Sequence, residues 1–225
     1  MSGEWKRKLF MSSLFLHRLF ARATGRDVYI VSKYSYSLSN YEPRSAVLEL
    51  MSREIKRYGI EGNTAELGVY KGDFAKLINK FFPDRKLYLF DTFEGFDKKD
   101  TNAENEKGIE SETEHDFSLT SEKLVLSKME HPENCIVRKG WFPDTAEGID
   151  DKFCFVSIDA DLYQPILAGL EFFYPRLVHG GAIMIHDFNY DGYKGSREAV
   201  TEFCGRNNIG YVCIPDSYGS AVITK

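Results

Sequence analysis

From residue 39 onward the chain alternates two apolar periodicities. In "SNYEPRSAVLELMSREIKRYGI" the residues Val47, Leu48, Met51, Ile55 and Tyr58 recur at helical spacing, Pro43 suits a first helical turn, and Gly59 suits its end. The apolar run "NTAELGVY" predicts a strand, and Gly72 opens a helix to about Phe82. "KLYLFD" predicts a second strand, and a helix from about Ser121 to Met129 leads to a third, "NCIVRKG". "FCFVSID" predicts a fourth, followed by a helix from about Gln164 to Leu177. Gly180 and Gly181 open the strand "AIMIHD", and a helix covers about Ser196 to Asn207. "YVCIP" and "SAVITK" close the chain as a hairpin across "DSYGS". Strands alternating with helices imply an α/β fold, a parallel sheet with helices on both faces. The terminal hairpin requires one antiparallel edge strand. The stretch 97–116 is rich in acids, poor in apolar residues, and reads as a mobile loop or lid.

The 39–225 portion therefore reads as one domain, preceded by a helical extension over 1–38. In "WKRKLFMSSLFLHRLFARATGR" the residues Leu9, Phe10, Leu14, Leu16, Leu19 and Phe20 suggest a broad apolar helix face, for packing on the body or on a second copy in a homo-oligomer. Its basic start also admits an interfacial membrane helix or a cleaved signal, although His17 and Arg18 interrupt the apolar run. No apolar run reaches the length of a transmembrane segment. Net charge is -5, without the global basic field that non-specific nucleic-acid binding needs. Cys135, Cys154, Cys204 and Cys213 show no metal-type pairing and read as reduced thiols in or near the core of a cytoplasmic protein.

In open parallel sheets, ligands bind beyond the carboxyl ends of the strands. That rule gathers Glu66–Gly72, Asp91, Gly140, Asp159 and Asp187 on one rim. In "AELGVYKGDF", Gly68 and Gly72 let a ligand approach the backbone, and Glu66 can accept a hydrogen bond from an ammonium group. Asp91, ending the second strand, stands where an acid meets a ribose diol. Thr92 and Phe93 can flank a base, and Trp141 and Phe142 of "GWFPDT" can wall an adenine. "FVSIDADLY" ends an apolar strand in Asp159 and Asp161, which point the same way if the chain stays extended. A simpler role for Asp161 is to cap the following helix.

Together "AELGVYKG", "LFDTFEGF", "GWFPDT", "SIDADLYQPILAGLEFFYPRLVHGGAIMIHDFN" and "GSREAV" resemble the macrocin O-methyltransferase (TylF-type) family, over roughly Ser39 to Phe203. The resemblance implies a Rossmann-like class I methyltransferase fold and a reaction in which S-adenosylmethionine, leaving as S-adenosylhomocysteine, methylates a sugar hydroxyl of a small-molecule or glycan acceptor. By that resemblance Glu66, Gly68, Val69, Tyr70 and Gly72 hold the methionine portion. Asp91 holds the ribose, with Thr92, Phe93, Gly140, Trp141, Phe142 and Asp159 around the cofactor. It also implies a divalent metal, magnesium being the expected ion, on Asp159, His186 and Asp187, with Asp161 as general base. The sequence departs from the family at His186, where other members carry an acid. Imidazole suits magnesium poorly, so His186 is alternatively a proton acceptor, a neighbour of the ligands, or a ligand for a softer metal. Tyr34, Tyr36 and Tyr41 can line an acceptor site. The runner-up reading is a DxD glycosyltransferase, and a third is a non-catalytic cofactor-binding module. The glycine loop and Asp91, placed before the DxD, speak against the glycosyltransferase.

Overall fold

A computed structural model describes residues 42–112 and 115–225. The expected N-terminal helix and Tyr34, Tyr36 and Tyr41 lie outside the described residues. The compact unit runs Glu42–Lys225. It begins with α1 (Pro43–Arg57), with Pro43 in its first turn and Glu42 as its cap, accepting from the backbone N–H groups of Arg44 (3.0 Å) and Ser45 (2.8 Å). Then follow β1 (Asn63–Leu67), α2 (Ala75–Phe81), β2 (Leu87–Asp91), α3 (Lys98–Lys107), α4 (Glu122–Leu126) and β3 (Cys135–Lys139). The second half contributes β4 (Phe153–Ile158), α5 (Tyr163–Arg176), β5 (Leu177–Ile185), α6 (Lys194–Asn207), β6 (Val212–Ile214) and β7 (Ser220–Thr224).

The seven strands lie in the order β3-β2-β1-β4-β5-β7-β6. The neighbours from β3 to β5 pair parallel, whereas β7 runs antiparallel to both β5 and β6. The antiparallel strand is thus next to last in the sheet, and β6 forms the edge expected of it. Strand alternation distributes apolar residues to both faces: Leu87 and Leu89 of β2 join the core under α1 and α2, while Tyr88 and Phe90 join the core with α5 and α6. On the second face Phe90, Phe142, Phe153 and Phe173 meet edge-on or stacked, with centroids 5.1–5.9 Å apart. From β1 the chain steps outward through β2 to β3, then returns to β4 on the other side of β1. The crevice of this switch point lies between the carboxyl ends of β1 and β4.

Three sequence expectations change here. Residues 98–107, read as loop, form the helix α3: Asp97 caps it by accepting from the Lys99 N–H at 2.8 Å, and Gly108 ends it in left-handed conformation. Its anchors are acids. Buried Glu104 accepts from the Tyr163 N–H at 2.8 Å and from Ser111 Oγ at 3.2 Å, so no apolar stripe announces the helix. Gly180 and Gly181 lie inside β5 rather than opening it. Cys213 is exposed on edge strand β6, while Cys154 and Cys204 are buried as expected. Among the described residues no helix is long and apolar enough to cross a membrane.

Candidate functional site

A cavity of about 290 Å³ opens over the carboxyl ends of β1, β2, β3 and β4. Its walls include Glu66, Gly68, Val69 and Tyr70 after β1, Asp91 and Thr92 after β2, Gly140, Trp141 and Phe142 after β3, and Asp159 and Asp161 after β4. Gly72 and Phe93 are not among the lining residues. Phe93 is buried in the core with Val125 and Met129, and contributes its backbone N–H to Asp91 Oδ1 at 2.6 Å. The other oxygen of Asp91 accepts from the N–H groups of Val69 (2.7 Å) and Tyr70 (2.8 Å), so this carboxylate ties the end of β2 to the loop after β1.

Both glycines of that loop have packing reasons. A Cβ on Gly68 would sit 1.9 Å from the Asp159 carbonyl oxygen, and one on Gly72 would meet Val125 Cγ1 at 3.0 Å. Their φ angles of +82° and +76° also favour glycine. The space they leave open is filled by protein.

Glu66 is 1% exposed, and burial raises its carboxyl well above the usual range despite the opposing charge of Arg44. Its Oε2 has no hydrogen-bond partner among the described residues. Arg44, from the first turn of α1, donates through Nη1 to Asp159 Oδ2 at 2.9 Å and through Nη2 to Ser157 Oγ at 3.0 Å. Its guanidinium lies 3.9 Å over the Phe74 ring. No motif in the sequence marked Arg44, because its link to the site is made by packing rather than by a strand end.

His186 Nδ1 stands 3.1 Å from Asp159 Oδ1 and 3.0 Å from Asp187 Oδ1. Burial lowers its proton affinity, but the two carboxylates prevail and raise its pKa to about 9. Burial would raise Asp159, yet Arg44 and His186 hold it below the usual carboxylate range. Asp161 behaves oppositely. Burial, then the charge of Asp159 and a hydrogen bond with Asp187, push it well above that range. The chain does not stay extended through the pair: β4 ends at Ile158, and Asp161 has φ +59°. Asp161 does not cap α5 either. Leu162 stands at that position without a side-chain bond, and Glu104 takes the Tyr163 N–H. Asp161 is therefore a buried, strained carboxyl without a capping duty, the sort of residue that clusters at functional sites.

One ligand atom from each of Asp159, His186 and Asp187 lies within 4.8 Å of the others. Two carboxylates and an imidazole nitrogen in that span fit a divalent cation. Trp141, expected to wall a base, donates from Nε1 to Asp100 Oδ1 at 3.0 Å and carries the Lys99 ammonium 3.8 Å over its ring. Asp100, also in the cavity wall, has no motif to set it apart inside the acidic stretch; burial raises its pKa to about 6.

The sheet order, with its reversed strand beside β5 and its ligand crevice at the β1–β4 switch, defines a class I methyltransferase fold. Solved structures agree: the calicheamicin methyltransferase CalS11 superposes with a TM-score of 0.64 at 18% identity, covering 80% of this chain and 78% of that one. The O-methyltransferase NovP gives 0.63 at 18% identity, covering 81% and 79%. The family model for macrocin-O-methyltransferase (TylF) matches residues 16–214. The chain belongs to the TylF macrocin-O-methyltransferase family. One curated relative is the 8-demethyl-8-(2,3-dimethoxy-alpha-L-rhamnosyl)-tetracenomycin-C 4'-O-methyltransferase of Streptomyces olivaceus, 26% identical over 162 residues. The match spans 67% of this chain and 61% of that relative's length. The mycinamicin III 3''-O-methyltransferase of Micromonospora griseorubida is 27% identical over 202 residues, 84% of this chain and 77% of the relative.

Proposed function

We propose that the chain is an S-adenosylmethionine-dependent O-methyltransferase acting on a hydroxyl of a sugar or glycosylated metabolite. The observation that carries this reading is the junction at the β1–β4 switch point. There a cavity with groups suited to an amino acid and a nucleoside meets the Asp159–His186–Asp187 cluster through Asp159. Membership of the TylF family and the sugar O-methyltransferase activities for which the two relatives are named support it.

In this reading the orphaned Oε2 of Glu66 receives the ammonium of the methionine end. Asp91 holds the loop N–H groups in place beside the ribose, and Trp141 and Phe142 wall the base. S-adenosylmethionine would supply an activated methyl group, and a divalent cation would polarise the acceptor hydroxyl. Asp159, His186 and Asp187 would hold that cation; Arg44 leaves one oxygen of Asp159 for it. The nitrogen in the donor set favours a first-row transition ion such as manganese over the magnesium expected from the family. Asp161, which lines the cavity beside Asp159, would take the hydroxyl proton once the charge of the cation favours its ionised form. The rest of the work is alignment of oxygen, methyl carbon and sulfur. Beyond His186 lies a hollow lined by Tyr190, Asp216 and Tyr218, with the Tyr218 ring edge-on to His186 at 5.8 Å. Aromatic faces of this kind suit a sugar ring as acceptor.

Titration with S-adenosylhomocysteine and, separately, with UDP-sugars tests the proposal. Micromolar binding of S-adenosylhomocysteine without UDP-sugar binding is the expected result. The opposite pattern would replace the methyltransferase by a glycosyltransferase. A panel of glycosides screened for S-adenosylmethionine consumption would then identify the acceptor class.

A further inference from the structure

Arg44 lines the same cavity as Glu66, and both are deeply buried, at 8% and 1% exposure. Among the described residues, each keeps a buried polar atom without a hydrogen-bond partner, Nε of Arg44 and Oε2 of Glu66. Their charges act on one another, but no hydrogen bond joins them. A guanidinium offers five N–H donors. Nη1 donates to Asp159 and Nη2 to Ser157, which leaves donor capacity beside the cavity. Unsatisfied buried polar groups are costly unless a ligand completes them. The topology puts them at the β1–β4 end of the cavity, with β2 between them and the Trp141 wall that follows β3. A ligand suited to that end is a zwitterion, with an ammonium for Glu66 and a carboxylate for a cation.

We infer that Arg44 is a specificity residue for the α-carboxylate of the cofactor's methionine end, acting opposite Glu66 at the α-ammonium. The assignment rests on the methyltransferase reading above. Lys71 also lines the cavity, but its ammonium lies 4.8 Å over the Tyr70 ring on the more exposed loop. The planar, weakly hydrated guanidinium of Arg44 is the better carboxylate partner, and stacking on Phe74 holds its plane. The same guanidinium grips Asp159, so one side chain links the methionine end of the cofactor to the acid–imidazole cluster.

The test is calorimetric titration of the full chain with three probes. S-adenosylhomocysteine carries the whole amino-acid end, S-adenosyl-3-thiopropylamine lacks its carboxylate, and 5′-deoxy-5′-methylthioadenosine lacks that end entirely. Wild type should bind the first about ten- to a hundredfold more tightly than the second, and Arg44→Gln should remove most of that ratio while changing methylthioadenosine affinity by less than about threefold. Arg44→Lys, which keeps the charge but not the fork, should retain part of the ratio. It carries the same comparison if the glutamine variant does not fold. An unchanged ratio in the variants, or equal weakening of all three probes, would overturn the assignment while leaving the cofactor reading standing. A wild-type protein that binds none of the three would remove the cofactor reading, and the Arg44 assignment with it.

Discussion

Replacing Gly68 by alanine separates two accounts of the loop after β1, a ligand cradle or a junction between strands. The new Cβ would lie 1.9 Å from the Asp159 carbonyl oxygen and 2.6 Å from its carbon, whereas real Cβ contacts essentially never fall below 3.0 Å. The obstacle is backbone, so the ends of β1 and β4 must part by about 1 Å or more, which a close-packed interior resists. Parting strains the hydrogen bond from the Asp159 N–H to the Leu67 carbonyl, 2.8 Å long. Overpacking costs about 1–3 kcal/mol, the left-handed φ of +82° adds about 1 kcal/mol for alanine, and the weakened hydrogen bond adds about 1 kcal/mol. The expected destabilisation is about 3–5 kcal/mol, which lowers Tm by roughly 6–20 °C in a domain of this size. Urea and thermal denaturation of the ligand-free protein measure it, with S-adenosylhomocysteine titrated at low temperature. A stability loss present without ligand is expected, because the clash is internal to the protein. An alanine variant within about 1 kcal/mol of wild type that had lost only ligand affinity would refute the junction account.

Three further outcomes follow from the site. Burial raises Asp100 to about 6, so the folded state holds a proton that the unfolded state has lost between about pH 4 and 6, and this carboxyl lowers stability as pH rises through that window. Asp100→Asn keeps an oxygen for Trp141 and should be about 1–2 kcal/mol more stable than wild type at pH 7.5, the gain vanishing near pH 4; a gain independent of pH would show that the charge is not its cause. Asp159→Ala strands the Arg44 guanidinium and should cost about 3 kcal/mol in denaturant melts, and adding Arg44→Met should recover at least half of it; strict additivity of the two changes would deny their coupling. Manganese should bind more tightly than magnesium by calorimetry, and His186→Asp should narrow the gap; the same preference in both proteins would remove His186 from the donor set.

The parallel sheet was legible because apolar runs and helical periods alternate with little interruption from Asn63 to Asn207. The misreadings share a cause. Helix α3 carries no apolar face, since the side chains that dock it are Asp100 and Glu104, and burial of acids follows no hydrophobic period. The position of β7 between β5 and β6 is likewise a matter of pairing, which a hairpin alone does not decide. Phe93 follows a strand end like its neighbour Thr92, yet its left-handed φ of +55° belongs to a chain turning away from the cavity, and its ring is buried in the core.

The placement of the candidate site was legible by the same rule and to the same limit. Strand-end reasoning put Glu66, Asp91, Asp159 and Asp187 on one rim, and the structure adds Asp161. Five carboxylates gathered at a partly buried rim cannot all stay ionised without positive charge among them. The structure meets that demand in three ways. Arg44 and His186 stand against Asp159, backbone N–H groups surround Asp91, and Glu66 and Asp161 are driven toward their neutral forms. Only His186 of the two cations lies in a strand-end motif. Arg44 comes from the first turn of a helix that precedes the sheet, where sequence periodicity assigns a residue to helix but not to the wall it meets. The excess of acid on the rim was itself the available signal. It required a buried cation from outside the motifs, and a basic residue at the start of α1 is delivered to the rim by the packing of α1 against α2 beside it.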